Sequence, residues 1–150
     1  MTESAFPLTL RVDGVGHELL VGADDTLLDV LHDRLRLHSC RETCGIGVCG
    51  SCTVRVDGRA VSACLTMAFT CADADVETAE GTAVERVRQA FLDHQAFQCS
   101  YCTPGFVMSV AAMLDEPTER RDVDAALSGH LCRCASYRQI RAAVEELLDT

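Results

Sequence analysis

No run of residues in this chain is long and apolar enough to cross a membrane as a helix. The two longest candidates, Ala60 to Phe69 and Phe106 to Leu114, are interrupted by Ser or Thr and fall well short of the roughly 20 residues a span needs. Positive charge is scarce: 13 basic residues stand against 23 acidic ones, and the formal charge of −10 argues against nucleic acid or an acidic lipid surface as a partner. The N-terminal Met1-Thr2-Glu3-Ser4-Ala5-Phe6-Pro7 lacks the basic start and apolar core of a signal peptide. The ten cysteines are therefore not read as the disulfide framework of a secreted protein, and a reducing, cytoplasmic setting is expected. Missing too are a Ser/His/Asp grouping, a P-loop and a dinucleotide fingerprint, so the chain is expected to carry no substrate chemistry of its own. There is no internal repeat and no low-complexity tract.

What the chain has in quantity is cysteine, in two ordered sets. The first, Cys44-x4-Cys49-x2-Cys52-x11-Cys64, has the spacing of a plant-type [2Fe–2S] ligand set. Glycines punctuate it: Cys44-Gly45-Ile46-Gly47-Val48-Cys49-Gly50-Ser51-Cys52. An oxidised two-iron core with four thiolates carries a charge of about −2 and needs donors around it. Residues without a Cβ let the backbone fold tightly and aim successive N–H groups at the sulfurs. The second set is Gln98-Cys99-Ser100-Tyr101-Cys102-Thr103-Pro104-Gly105, followed by Leu131-Cys132-Arg133-Cys134. Each pair precedes a helix-start signal, with Thr103 as N-cap and Pro104 at the first helical position, then Ser136 with Gln139 as a capping box. Helix N-termini suit a cluster that becomes more negative on reduction. Zinc knuckles usually pair two short Cys-x-x-Cys elements, which sets the first motif apart from them; the second set alone suits zinc or iron–sulfur equally. Its ordered company with the first set favours iron–sulfur.

This order of motifs resembles the iron–sulfur subunit of the molybdenum hydroxylases, the family of xanthine oxidase, aldehyde oxidoreductase and carbon monoxide dehydrogenase, and the resemblance runs from about Leu8 to Leu148. It implies an α+β chain: an N-terminal β-grasp, plant-type ferredoxin-like domain over residues 1–80 and a C-terminal four-helix [2Fe-2S]-binding domain over residues 81–150. Cys44, Cys49, Cys52 and Cys64 would ligate the ferredoxin-type cluster; Cys99, Cys102, Cys132 and Cys134 would ligate one nearer molybdenum. Cys134 would also approach the pterin as the relay, with Gln98 beside the same cofactor. Partners implied are a large molybdopterin-binding subunit and a medium FAD-binding subunit, in a dimer of heterotrimers. The sequence departs from the family where Ser100 replaces the usual Gly, His130 the usual Asn, and Ala135-Ser136 the common Thr-Gly. No ligand is lost, but Ser100 must find a backbone compatible with a Cβ, and His130 brings a titratable donor close to the second cluster. An unusual potential for that cluster is the expectation.

Along the chain, Leu8 to Val12 alternates as a strand, Asp13-Gly14 signals a hairpin, and Val15 to Val21 returns. Thr26 and Asp29 read as a capping box before a helix carrying Leu27, Leu28, Val30, Leu31 and Leu35. Thr53 to Val56, the turn Asp57-Gly58 and Ala60 to Ala63 form a second hairpin. Beyond a boundary near Glu80-Gly81-Thr82 the period becomes helical, with faces at Val84, Val87, Phe91 and Leu92, at Phe106 to Leu114, and at Ile140, Val144, Leu147 and Leu148. A short helix from Asp122 to Leu127 ends at Gly129. Half-domains of this size bury little surface and benefit from a metal cross-link.

Cys40 and Cys71 fit neither quartet and read as small buried hydrophobes, although Cys40 lies close enough to Cys44 to compete for its assignment. His17, His32, His38 and His94 read as solvated or capping residues, and Tyr101 as packing. Arg133, between two ligands, either compensates cluster charge or is solvated. The function expected is relay of single electrons from molybdenum toward FAD. Its rivals are a free-standing ferredoxin-like carrier or redox sensor and a zinc-stapled interaction module.

Overall fold

The computed structural model describes residues 5–149; the first four residues of the N-terminal segment and residue 150 lie outside them. The chain is α+β, with a five-stranded mixed sheet followed by helices. Strands β1 (Phe6–Val12) and β2 (Val15–Val21) pair antiparallel around Asp13-Gly14. Both turn residues have positive φ, 49° and 84°, as a two-residue hairpin requires to match strand twist. Leu8, Leu10 and Val12 point inward from β1 and are buried. Strands β3 (Thr53–Val56) and β4 (Arg59–Ser62) repeat the device around Asp57-Gly58. The last strand, β5 (Asp75–Glu77), slots between the two hairpins, parallel to β1 and antiparallel to β3, giving the order β2-β1-β5-β3-β4.

The Thr26–Asp29 capping box forms, but the helix it starts is short. Asp29 N–H donates to Thr26 Oγ1 at 3.2 Å and Thr26 N–H to Asp29 Oδ2 at 2.8 Å. Helix α1 covers only Leu27–Asp29 before widening into a π turn over Val30–Arg34. The wider turn lets four near-consecutive apolar residues, Leu27, Leu28, Val30 and Leu31, all face the sheet core. Short 3-10 turns at Ala63–Leu65 and Ala68–Cys71 complete this half.

The second half holds α2 (Glu85–Asp93), α3 (Thr103–Asp115), α4 (Val123–Ser128) and α5 (Tyr137–Asp149). Asp122 caps α4, accepting from Ala125 N–H at 2.9 Å. Two sequence expectations for helix starts are corrected. Cys102 rather than Thr103 is the N-cap of α3, with Pro104 second in the helix and no side-chain cap bond. Ser136 Oγ is buried without a hydrogen-bond partner among the described residues, so the Ser136–Gln139 capping box does not form. Leu92 and Leu148 fall outside the buried faces, at 55% and 36% exposure.

Two hydrophobic cores result, one built from residues between Leu8 and Val76, the other between Val84 and Leu147. They are clasped by Arg55 on β3, which reaches Glu77 on β5 at 3.1 Å and also pairs with Asp115 at the end of α3. They also meet where Gly105 backs onto the Gly50 carbonyl too closely for any Cβ.

Candidate metal centres

The first cysteine loop is built as its glycines suggested. Gly45, Gly47 and Gly50 all have positive φ, between 64° and 73°, which curls the backbone so that its N–H groups face the thiols. Cys44 shows the result: its thiol pKa is lowered to about 6 by the Ile46 N–H, then by the Cys49 side chain and the Val48 and Cys49 N–H groups. Cys52, deeper in, is pushed up to about 11 by burial and by the neighbouring Cys64 and Cys49 sulfurs, with the Cys64 N–H opposing. The chain therefore brings Cys44, Cys49, Cys52 and Cys64 into one group, with Cys49 and Cys52 buried and the other two half-buried.

The second quartet converges from the segments preceding α3 and α5. The four thiols of Cys99, Cys102, Cys132 and Cys134 line one small cavity together with Ser136. Cys102 is pushed up to about 12 by burial and by the Cys132 sulfur beside it. Burial acts the same way on Cys132, but the Ser136 N–H, the Cys102 side chain and the Cys134 N–H outweigh it and lower its pKa. Cys99, exposed, is lowered by the Tyr101 N–H and the Cys134 side chain. Gln98 is tied to this group, its Nε2 donating to the Cys134 carbonyl at 2.8 Å. Ser100 and Ala135 take positive φ, 64° and 61°, at two of the positions where the sequence departs from glycine or its neighbour. Each conformation costs about 1–2 kcal/mol for a residue with a Cβ.

The donor set fits iron–sulfur clusters. Each quartet offers four sulfurs, inward-turned N–H groups and, in the second, a buried Ser136 hydroxyl with no partner of its own among the described residues. Among the same residues no three or more His, Cys, Asp or Glu side chains converge as they would on a single metal ion. Cys40 and Cys71 stand apart. Cys40 Sγ donates to the Cys52 carbonyl at 3.3 Å, and burial pushes its pKa far up. Cys71 is buried and likewise raised.

The two quartets are joined directly. Leu131 N–H, next to Cys132, donates to the Cys49 carbonyl at 3.0 Å. A Cβ on Gly50 would lie 2.6 Å from the Gly129 carbonyl oxygen and from the His130 ring. His130 is buried at 6% exposure, its ring 4.7 Å from that of Phe106 and its Nε2 facing the Ser109 hydroxyl at 3.2 Å and Thr53 at 3.4 Å. Burial lowers its pKa, with the Gly105 carbonyl opposing, so the titratable donor expected beside the cluster is held neutral. Sequence reasoning missed Tyr137, whose hydroxyl accepts from Cys132 N–H at 2.8 Å and donates to the His130 carbonyl at 3.2 Å. It also read Tyr101 as packing, whereas its hydroxyl donates to the Glu42 carbonyl at 2.6 Å and its ring lies 46% exposed under Arg41. Arg133 is exposed.

Comparison with known proteins gives two family matches that together run through most of the chain: the 2Fe-2S iron-sulfur cluster binding domain over residues 22–98 and the [2Fe-2S] binding domain over residues 76–145. The aldehyde oxidoreductase iron-sulfur-binding subunit of Escherichia coli O157:H7 is 38% identical over 93% of this chain and 70% of its own. The nicotinate dehydrogenase small FeS subunit of Eubacterium barkeri is 36% identical over 95% of this chain and 94% of its own. The chain belongs to the iron–sulfur subunits of the molybdenum hydroxylase family. Solved relatives share its shape. Quinoline 2-oxidoreductase from Pseudomonas putida 86 matches with a TM-score of 0.83 at 28% identity, over 96% of this chain and 93% of that one. The aldehyde oxidoreductase from Desulfovibrio desulfuricans matches at 0.83 and 38% identity over 95% of this chain, which spans 17% of that longer one. Members of the family named here are thus oxidoreductases or their subunits, and this chain is an iron–sulfur, electron-transferring subunit of that type. No helix among the described residues is long and apolar enough to cross a membrane.

Proposed function

We propose that the chain binds two [2Fe-2S] clusters and relays electrons between a molybdopterin site on a large partner subunit and FAD on a medium one. Cys44, Cys49, Cys52 and Cys64 hold the first cluster in a β-grasp, ferredoxin-like domain of residues 1–80; Cys99, Cys102, Cys132 and Cys134 hold the second in a four-helix domain of residues 81–150. The observation that carries this reading is the Leu131 N–H to Cys49 carbonyl bond, which connects the two thiol groups through a few covalent bonds and one hydrogen bond. Bound, each cluster supplies one-electron redox chemistry.

The protein's own residues set the conditions for it. The N–H groups of Ile46, Val48 and Cys49 and of Tyr101, Cys134 and Ser136 stabilise negative charge on the sulfurs. Buried Cys49, Cys52 and neutral His130 keep water away from the junction. Gln98 fixes the Cys134 backbone on the exposed side, where the pterin-bearing subunit is placed in this reading. Thiols kept free for ligation suit a reducing cytoplasm. A dimer of heterotrimers is the assembly proposed.

Purification of the untagged chain from its native host tests the assembly: elution with two larger subunits supports it, and a coloured chain eluting alone favours a free-standing carrier. Within the complex, Cys134→Ser is expected to abolish reduction of FAD by substrate while leaving the ferredoxin-type cluster's spectrum in place. Normal turnover by that variant would refute the role of Cys134.

A further inference from the structure

Where the segment before the first cysteine loop meets α2 and α3, Phe91, Phe97 and Val107 wall an open cavity of about 370 Å³. Its polar lining is one-sided. In a chain with 23 acidic and 13 basic residues, this cavity is lined by Arg41 and Arg88 and by no Asp or Glu among the described residues. Arg88 is already engaged, donating to the Ala79 carbonyl at 2.7 Å and pairing with Glu85. Arg41 is not. Its guanidinium carbon lies 5.6 Å from the centre of the Tyr101 ring, and its Nε is buried with no hydrogen-bond partner among the described residues. Ser39 Oγ, on the same wall, is buried and unpartnered as well. A buried donor left unsatisfied costs about 1–3 kcal/mol, and a guanidinium is best matched by a carboxylate. At the mouth Leu92 is 55% exposed, so the apolar wall continues out to the surface.

The geometry points to a docking pocket for a partner subunit, which inserts an apolar side chain next to a carboxylate: the apolar body lies against Phe91, Phe97 and Val107, and the carboxylate accepts from Arg41 and Ser39. This rests on the assembly proposed above. Charge complementarity selects the occupant, because Glu85 pairs with Arg88 and Glu80 accepts from Ser39 N–H at 2.9 Å, which leaves Arg41 as the lining cation with no carboxylate on it among the described residues.

The test uses the complex purified from its host, with a photo-crosslinking phenylalanine analogue at position 92 and, separately, Arg41→Gln and Leu92→Glu. The expected result is a cross-link from position 92 to a partner peptide that places Asp or Glu beside an apolar residue. Both substitutions are expected to raise the subunit dissociation constant about tenfold or more with the iron–sulfur absorbance unchanged. Leu92 is a surface residue, so Leu92→Glu carries the test even if Arg41→Gln misfolds. An intact complex whose position 92 captures no partner and whose dissociation constant is unmoved by Leu92→Glu overturns the pocket while leaving the assembly standing. So does a cross-link between two copies of this chain, or a small carboxylate found in the pocket of the assembled complex. A wild-type chain that elutes without larger subunits overturns both.

Discussion

Gly105 sits where α3 begins to turn over the first cysteine loop, and its missing Cβ is what lets the Gly50 carbonyl approach. Both sides of that contact are backbone, so neither can yield cheaply. Gly105→Ala is expected to destabilise the chain by roughly 1–3 kcal/mol and to loosen the junction between the quartets; an unchanged denaturant midpoint would contradict this. Ser100 presents the opposite case, a residue with a Cβ held at φ 64°. Ser100→Gly removes that strain, partly offset by added freedom in the unfolded chain, and is expected to stabilise by about 1 kcal/mol. A lower melting temperature for the variant would show that the serine is not strained. Cys71 gives a pH signature away from the ligands. Burial raises its pKa from 9.0, so the folded form keeps its proton where the unfolded form has lost it. Its contribution is fully present below pH 9.0 and is lost as pH rises through the folded value. Stability is expected to decline above that pH more steeply in the wild type than in Cys71→Ala, and parallel pH profiles would refute the assignment.

Arg55 shows what the elements add to the residues. It leaves β3 as an inward-facing strand residue with its side chain 9% exposed, and meets Glu77 from β5 and Asp115 from α3, whose side chains are 25% and 62% exposed. The cation thus lies at the C-terminal end of α3, where the helix dipole favours it. Arg55→Met leaves two carboxylates that can still reach water, so the expected loss is about 1–3 kcal/mol, smaller than for a fully buried pair. Chemical unfolding of Arg55→Met and Asp115→Asn checks it, and no loss in either would dismiss the clasp. None of this was legible in sequence, because Arg55 and Asp115 are 60 positions apart. Local devices were legible. Both Asp-Gly turns and the Thr26–Asp29 box act within four residues, and their partners lie in the same few positions. Strand β5 was not, since three residues carry no usable alternation and its pairing comes from β1 and β3. The π turn after Asp29 was hidden for a related reason: it follows from packing four apolar side chains against the sheet, not from helix propensity.

Seen entire, the molecule is two hydrophobic cores with a thiol group on each, pressed together where Cys49 meets Leu131. Cysteine spacing pointed to Cys44, Cys49, Cys52 and Cys64 as a ligand set, because short spacings allow few ways of bringing sulfurs to one place, whereas Cys99, Cys102, Cys132 and Cys134 suited zinc equally and were joined to them by the order of motifs and the family resemblance. The junction stayed invisible, because Leu131, Tyr137 and His130 carry no signature until the fold sets them against the other half. The most direct test of the account is iron and acid-labile sulfide per chain in anaerobically purified protein. It predicts about four of each, as two [2Fe–2S] centres require. About two of each, or zinc without sulfide, would contradict it.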